Sequence, residues 1–501
     1  MNMAATDCML LFNMLAAENG LRARLGSREW VTGLTGASDS LVRTVIPYAG
    51  SSATASRLFV TTSKGIWNVS TSTATPSGPA LAFATTAGDS GYGVAHGHTT
   101  TAGNFIWYAD EVNGLHLYTE STDTWAAVSN TSITGVDPAD VCFVTVFKGF
   151  TFFVEKNTAQ LWILPVNSIA GETNRLGIGY KLQAGGDIVG VWSWTYDGGS
   201  GLDDAMVVVT RGGDVIVFQG TDPTTSTNFG ISGVWGVGKM PAGRNIATSF
   251  GGDLLLLTRS GIVPMSKLVL GRVPDASQYE TARIHNLFNG LMLSQGDIPG
   301  WSIVLHPEES ALLVTVPTGA GQATTQLAMS LATRSWSRLR DLDIYACASY
   351  EGKLYYGTVD GKVGINDGNV DGVTLASPNT YEAIQYSGIG AFNNFSIGSQ
   401  KQVHIIKPYF TAGSAAPSFS VGARYDFDVT ELAEVSLSAS TGSVWDTGTW
   451  DSATWGTVTA STGVRGAAGI GSNVAVAWRG ASVDRTILTG FEVSFSTGGM
   501  L

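Results

Sequence analysis

Apolar positions fall in short runs, cut by polar turns that contain glycine. The densest example spans 206–263. The apolar run 206–209 meets Arg211-Gly212-Gly213-Asp214, and a second apolar run, 215–218, comes directly after. Further on, Gly251-Gly252-Asp253 precedes the run 254–257, then come Arg259-Ser260-Gly261, Ile262 and Val263. Two apolar runs joined by a short glycine-bearing turn predict a β-hairpin, because glycine takes the positive φ that a tight turn needs. The same form recurs at Ser63-Lys64-Gly65, at Val112-Asn113-Gly114 and at Asp360-Gly361.

Taken in order, the pattern predicts an irregular N-terminal strap, residues 1–39, lying over the first blade of a propeller-like body. A short helix is expected before the turn at Asn19-Gly20. From residue 40 to 366 the hairpins recur at spacings of roughly 45–60 residues, close to the length of a four-stranded propeller blade. Trp67, Trp107, Trp125, Trp162 and Trp192 fall near strand positions and are expected to pack between blades. A short helix is predicted within 273–291, through Ile284, Leu287 and Leu291. Residues 367–378, rich in Asp, Gly, Ser and Pro, form the best linker. Longer strands come after it, over 381–388, 402–411, 418–425, 434–437, 474–478 and 487–496, with Pro408 marking an edge. The expected fold class is therefore all-β: a β-propeller-like body at 40–366 and a β-sandwich-like domain at 379–501. Stacked sandwiches without radial closure are the alternative.

Composition sharpens this picture. Gly is 63 of 501 residues, with no Gly-X-Y period, and only 14% of residues are charged. Such a chain suits turns and short strands better than long helices. Acidic residues outnumber basic ones, 40 to 28, which argues against wrapping nucleic acid by backbone charge. Cys8, Cys142 and Cys347 make neither a disulfide framework nor a zinc box. The apolar stretch at 8–15 is too short to span a membrane and lacks a basic flank. No membrane-spanning segment is expected, and the chain is expected to be made and assembled in the cytoplasm.

Candidate chemistry is sparse. His96 and His98 are the only close histidine pair, without a third ligand at supporting spacing. Asp197, Asp203 and Asp204 bound a Gly-rich stretch expected to be an exposed loop; it departs from the EF-hand pattern, and calcium there stays open. Asp214 and Asp253 are expected to be turn residues whose carboxylates accept backbone N–H bonds. No nucleophile elbow and no phosphate loop occur. No catalytic residue, metal or cofactor is expected. Trp445, Trp450 and Trp455 sit in a Gly/Thr/Ser/Asp-rich stretch. Three rings at that spacing cannot share one face of a strand, so a loop packing onto a neighbouring subunit, a partner protein or the sandwich is expected.

The opening segment Asn13-Met14-Leu15-Ala16-Ala17-Glu18-Asn19-Gly20-Leu21-Arg22-Ala23-Arg24-Leu25-Gly26 resembles one near the start of tail-nozzle and packaged-DNA stabilisation proteins of short-tailed bacteriophages. Those openings have the form Asn-aromatic-x-Pro-x-x-x-Gly-x-x-x-Arg-x-Gly. This chain keeps Asn13, Gly20, Arg24 and Gly26 and departs at Met14 to Ala16, where an aromatic and a proline are usual. The next strands, and the stretches around Arg211 and Trp336, keep the family's order. The resemblance implies a structural virion protein of the tail without enzymatic activity. It implies a homo-oligomer, a hexameric ring below the connector, with a β-propeller in each subunit. Adaptor or connector proteins would lie above, fibre or needle proteins below, and double-stranded DNA would pass through without sequence specificity. Arg22 and Arg24 are the candidate DNA-channel contacts. A carbohydrate-binding or glycan-cleaving propeller is the competing reading, and a generic protein-interaction propeller is a third.

Overall fold

The computed structural model describes residues 8–76, 78–82, 91–197, 202–225, 228–270, 276–395, 397–413, 417–435, 459–461 and 465–498. Strand accounts for 52% of the chain, more than twice the share in an ordinary soluble domain. The fold is all-β and built from multiple sheets. Among the described residues no sheet closes on itself.

Seven short antiparallel sheets succeed one another. The first holds Thr44–Tyr48, Arg57–Thr62, Gly65–Asn68 and Leu81–Ala82. The second holds Gly93–Thr100, Gly103–Asp110, Gly114–Thr119 and Thr124–Ala127. The third holds Val141–Phe147, Phe150–Glu155, Gln160–Leu164 and Asn174–Gly177. The fourth holds Ile188–Asp197, Leu202–Thr210, Asp214–Gly220 and Phe229–Gly236. The fifth has three strands, Ala247–Phe250, Asp253–Thr258 and Gly261–Pro264. The sixth set, Ser302–His306, Ala311–Val316, Thr325–Ser330 and Trp336–Leu339, is one end of a nine-stranded sheet, continued by the parallel pairing of Trp336–Leu339 with Cys8–Phe12. The seventh takes Ala346–Tyr350, Lys353–Gly357 and Val363–Asn366, and its fourth strand, Ser27–Val31, comes from near the N-terminus. All five hairpins marked by glycine turns in the sequence are present.

Neighbouring sheets pack through their leading strands. Thr44–Tyr48 touches Gly93–Thr100, which touches Val141–Phe147, which touches Ile188–Asp197; that strand meets Asp253–Thr258 of the fifth sheet. Ala247–Phe250 then touches Ser302–His306, which touches Ala346–Tyr350, and the latter returns to Thr44–Tyr48. Separate apolar clusters fill the gaps between sheets. Ile46, Phe59, Tyr108 and Trp125 form one between the first two sheets, and Trp107, Phe153 and Leu164 form one between the second and third. Trp67, Trp107 and Trp125 are buried; Trp162 and Trp192 are half-buried against these clusters. The expected helix is His285–Gln295, with Leu287 and Leu291 against the largest cluster.

Ile133–Thr134 and Gly171–Glu172 pair in parallel by themselves, and most of the remaining strands form a two-layer unit. One layer runs Cys8–Phe12, Glu382–Gly390, Val474–Ser482, Ser418–Tyr425. The other runs Met14–Ala17, Gly20–Ala23, Thr486–Thr497, Lys401–Ala412, the last also pairing Thr459–Ser461 and Arg465–Gly466. Met14, Tyr386, Val403, Phe410, Trp478 and Leu488 fill the space between the layers. Pro408 sits between the two short partner segments, which bond at Ile405–Ile406 and at residues 410–412. That gap is where a residue without an N–H fits. Glu434 and Val435 are not in a strand.

The N-terminus departs from expectation. Residues 8–31 are largely strand rather than an irregular strap, 32–39 are irregular as expected, and the expected helix is the hairpin Met14–Ala17/Gly20–Ala23. Local propensity allowed a helix over 13–18, but long-range pairing decided: Leu21 pairs Leu488 and Arg22 pairs Ile487. Contact with the first sheet comes from the segment near Trp30, whose Nε1 donates to the Val69 carbonyl at 2.8 Å, and from residues 35–39, where Thr62 Oγ1 donates to the Thr35 carbonyl at 2.9 Å and Ser63 Oγ accepts from Ala37 N–H at 2.9 Å. The expected linker contains Val370–Asp371, a short strand paired to Glu382–Gly390.

Candidate functional site

The residues carrying the opening motif converge where the two-layer unit meets the sixth and seventh sheets. Asn13 is buried in a left-handed turn, φ 56°, between the first two strands. Its backbone N–H donates to the Arg338 carbonyl at 3.0 Å, and its carbonyl accepts from Arg24 N–H at 3.0 Å. Its Nδ2 donates to the Gln385 carbonyl at 2.8 Å, and its Oδ1 accepts from Arg340 N–H at 2.7 Å. One asparagine thus bonds a sixth-sheet strand end and both layers of the C-terminal unit.

Arg24 is 3% exposed. Its guanidinium grips Asp371 through two bonds, 2.9 Å to Oδ1 and 2.6 Å to Oδ2. It also donates to the carbonyls of Leu25 at 2.8 Å and Arg340 at 3.1 Å. Ser27 Oγ adds a bond to Asp371 Oδ1 at 3.0 Å. Arg22 pairs with Glu309, whose other carboxylate oxygen accepts from Leu25 N–H. Burial pushes the Glu309 carboxyl above the usual carboxylate range, opposed by the Arg22 guanidinium. Asn366 Nδ2 donates to the Leu25 and Gly26 carbonyls at 3.1 and 2.6 Å, and its Oδ1 bonds His306 Nε2 at 2.7 Å.

Two glycines let the backbones close. Gly20 has φ 143°, and a Cβ there would lie 2.3 Å from the Leu488 carbonyl oxygen. A Cβ on Gly26 would lie 2.0 Å from the Val370 carbonyl oxygen. Both obstacles are backbone, so neither can swing aside. A cavity of about 480 Å³ opens beside the junction, lined by Arg22, Arg24, Glu308, Asn369, Asp484 and Arg485. Its mixed charges favour no single ligand sign.

The other candidates disperse. Arg24 is nearly buried and paired with Asp371, and Arg22 is paired with Glu309 beside the same cavity. Both terminal nitrogens of the Arg24 guanidinium are paired, as burial of a charge requires, while its Nε has no partner among the described residues. Asp197, Asp203 and Asp204 belong to paired strands rather than to an exposed loop: Asp197 faces Leu202, Tyr196 faces Asp203 and Thr195 faces Asp204. Trp445, Trp450 and Trp455 lie outside the described residues. Asp214 Oδ2 accepts from the N–H groups of Gln183, Ala184 and Gly185 at 3.0, 2.8 and 3.0 Å. Asp253 Oδ1 accepts from Leu254 and Ser266 N–H at 2.8 and 3.0 Å. Both carboxylates accept backbone N–H bonds as expected, but Asp214 holds the distant segment 183–185 rather than its own turn.

His98 is buried, and its Nδ1 accepts from Trp107 Nε1 at 3.4 Å with Thr151 Oγ1 at 3.3 Å. Burial lowers the His96 and His98 pKa values below the usual imidazole range. Among the described residues no group of three or more His, Cys, Asp or Glu is placed to hold a metal, and no helix is long and apolar enough to cross a membrane.

Sequence reasoning missed a buried polar cluster near the starts of several leading strands. Arg244 is 5% exposed, donates to the Ile188 and Val189 carbonyls at 3.0 and 2.8 Å, and pairs with Glu111. Tyr92 and Tyr345 meet hydroxyl to hydroxyl at 2.8 Å. The cavity left there is about 30 Å³. No local motif announces this site, since its members come from four separate sheet starts.

No family model and no curated protein matches this chain. Solved structures that it resembles include the computationally designed Ika8 protein, 8% identical, covering 68% of this chain and 99% of that one, with a TM-score of 0.35. Another is BBS1N in complex with ARL6DN, 9% identical, covering 68% and 97%, with a TM-score of 0.40. At these scores neither carries a conclusion about family or function.

Proposed function

We propose that this chain is a structural protein of a short phage tail, a nozzle subunit that closes a ring below the connector and surrounds exiting DNA. One observation carries the reading. The four residues retained from the nozzle-like opening, Asn13, Gly20, Arg24 and Gly26, all have a physical task at one junction. A signature that serves as a mechanical joint suits a protein that bears load rather than one that performs chemistry.

In this reading the seven short sheets are blades of a propeller and the two-layer unit is a sandwich-like domain. The support is the succession of packed leading strands and the N-terminal strand that completes the seventh sheet. The duplex would pass between subunits, because the passage at the start of the leading strands is only about 30 Å³ and is filled by Arg244, Tyr92 and Tyr345. The formal charge of −12 suits a wall past which phosphates slide. Head-to-tail contacts that close after six copies would give the ring. Assembly in the host cytoplasm and a final place in the virion tail belong to the same reading, as do adaptor proteins above and fibre or needle proteins below.

Electron microscopy of the purified chain mixed with tail-less phage particles or connector complexes tests it. Sixfold density at the tail tip is the expected result. A chain that never joins particles and instead shortens a surface polysaccharide would replace this reading with the glycan-cleaving one.

A further inference from the structure

The strand Thr486–Thr497 pairs along its whole length with Lys401–Ala412 on one side. On its other side only Ile487 and Leu488 are paired, to Arg22 and Leu21. Among the described residues, 489–497 therefore present an open edge. Thr489, Glu492, Ser494 and Ser496 along it are exposed, and a Cβ built on Gly490 meets nothing within 4 Å, so the outer face beside the edge is open too. Natural sheet edges are usually blunted by lysine, proline or a bulge. Residues 489–497 contain no lysine and no proline, and Glu492 is their sole charge. Phe491, Val493 and Phe495 alternate with the exposed positions and are only half-buried, although Phe491 lies against Trp478 at 5.3 Å and Phe495 stacks on Phe395 at 5.0 Å.

A second open edge lies on the opposite flank. Ser418–Tyr425 ends its layer and pairs only with Val474–Ser482 among the described strands. Over 419–425 it mirrors the first edge. Phe419, Val421 and Ala423 face the space between the layers, and Arg424 is its sole charge, on the outer face. Arg424 is held by the Thr430 and Glu431 carbonyls and has Asp428 at 3.7 Å, while Glu492 accepts from Tyr409 Oη at 2.7 Å and has Lys407 at 4.0 Å; ion pairs as exposed as these hold weakly and can be exchanged for one across a subunit boundary. The outer strand of the fourth sheet, Phe229–Gly236, is of similar length but has no charge to answer Glu492.

We propose that the open edge at 489–497 takes up the edge at 419–425 of a second copy of this chain, extending one β-sheet across the subunit boundary. Main-chain hydrogen bonds would supply affinity and the alternating side chains the register. The two apolar triads would share one face, and Glu492 would stand beside the second copy's cation on the other. Because the edges are different and lie on opposite flanks, each copy both gives and receives. That is the head-to-tail contact from which rings are built. The inference deepens the assembly part of the proposed function and rests on it.

The test uses the full chain. Ser494→Lys combined with Ser496→Lys puts two cations on an exposed face, where folding tolerates them and strand addition does not. Light scattering is expected to show a ring for the wild type and the 52.4 kDa single chain for the variant, with an unchanged melting temperature. Separately, Glu492→Cys and Arg424→Cys proteins are mixed under mild oxidation. A disulfide-linked pair is expected from the mixture and from neither variant alone. If the wild type forms a ring and the lysine variant forms the same ring, or no linked pair appears in the mixture, the edge proposal falls while the ring stands. If the wild type remains a single chain at every concentration and on particles, both fall.

Discussion

Arg24 and Asp371 lie 347 residues apart in sequence and meet through two parallel hydrogen bonds, 2.9 and 2.6 Å, inside the protein. The pair joins the N-terminal hairpin to the segment leaving the seventh sheet. Arg24→Ala would leave a largely buried carboxylate without its cation. Removing one member of such a pair costs about 3–5 kcal/mol. Thermal melts should show a lower transition for Arg24→Ala, and hydrogen exchange should rise first near Asp371. The double change Arg24→Met with Asp371→Leu should lose much less, because no unpaired charge remains.

Gly26 should not accept a side chain. Its Cβ would meet the Val370 carbonyl oxygen at 2.0 Å, so backbone must move. Gly26→Ala is expected to destabilise by about 1–3 kcal/mol. Gly97→Ala is the control, because a Cβ there meets nothing within 4 Å. It should stay within about 0.5 kcal/mol of the wild type. Urea midpoints of the two variants provide the comparison.

Stability should fall on mild acidification. His98, His116 and His306 are buried, and burial holds their pKa values below that of a free imidazole. The unfolded chain therefore takes up protons first, near pH 6.5. The stability these neutral rings contribute is full above that value and is lost as pH falls toward their folded pKa values. Melting temperatures between pH 7.5 and pH 5.5, values chosen to bracket about 6.5, should decline. His306→Gln should flatten part of the slope, since that ring is also disfavoured as a cation by Arg22.

Lys401 is wholly buried, and its Nζ donates to the carbonyls of Ile397, Ser399 and Ser472 at 2.7, 2.8 and 2.8 Å. Lys401→Met fills the space but leaves three acceptors short of a donor, at about 1–3 kcal/mol for each group left unsatisfied. Amide exchange at 397–401 and 471–473 should accelerate, while the seven sheets keep their protection.

Strand content, the five glycine-turn hairpins and the helix near Leu287 were legible because each is set by neighbours in sequence. A glycine at a positive-φ turn and an apolar run on either side fix a hairpin without help from the rest of the chain. That Asp214 and Asp253 accept backbone N–H bonds was legible from their place after glycine pairs, but the donors were not: Asp214 holds Gln183, Ala184 and Gly185, and Asp253 reaches Ser266 as well as its neighbour Leu254. The N-terminal hairpin was not, because 13–18 carries no decisive local preference and takes strand form only against Leu488 and its neighbours.

By itself, then, the sequence determined the all-β class and the local hairpins, through turn chemistry and alternation that act over a few residues. Only the tertiary structure decided that Ser27–Val31 completes the seventh sheet, that Arg24 is an internal clamp, and that Arg244 fills the space between leading strands. Those outcomes depend on which buried carboxylate or carbonyl reaches a guanidinium. A chain of 501 residues offers many such partners, and only long-range packing selects among them.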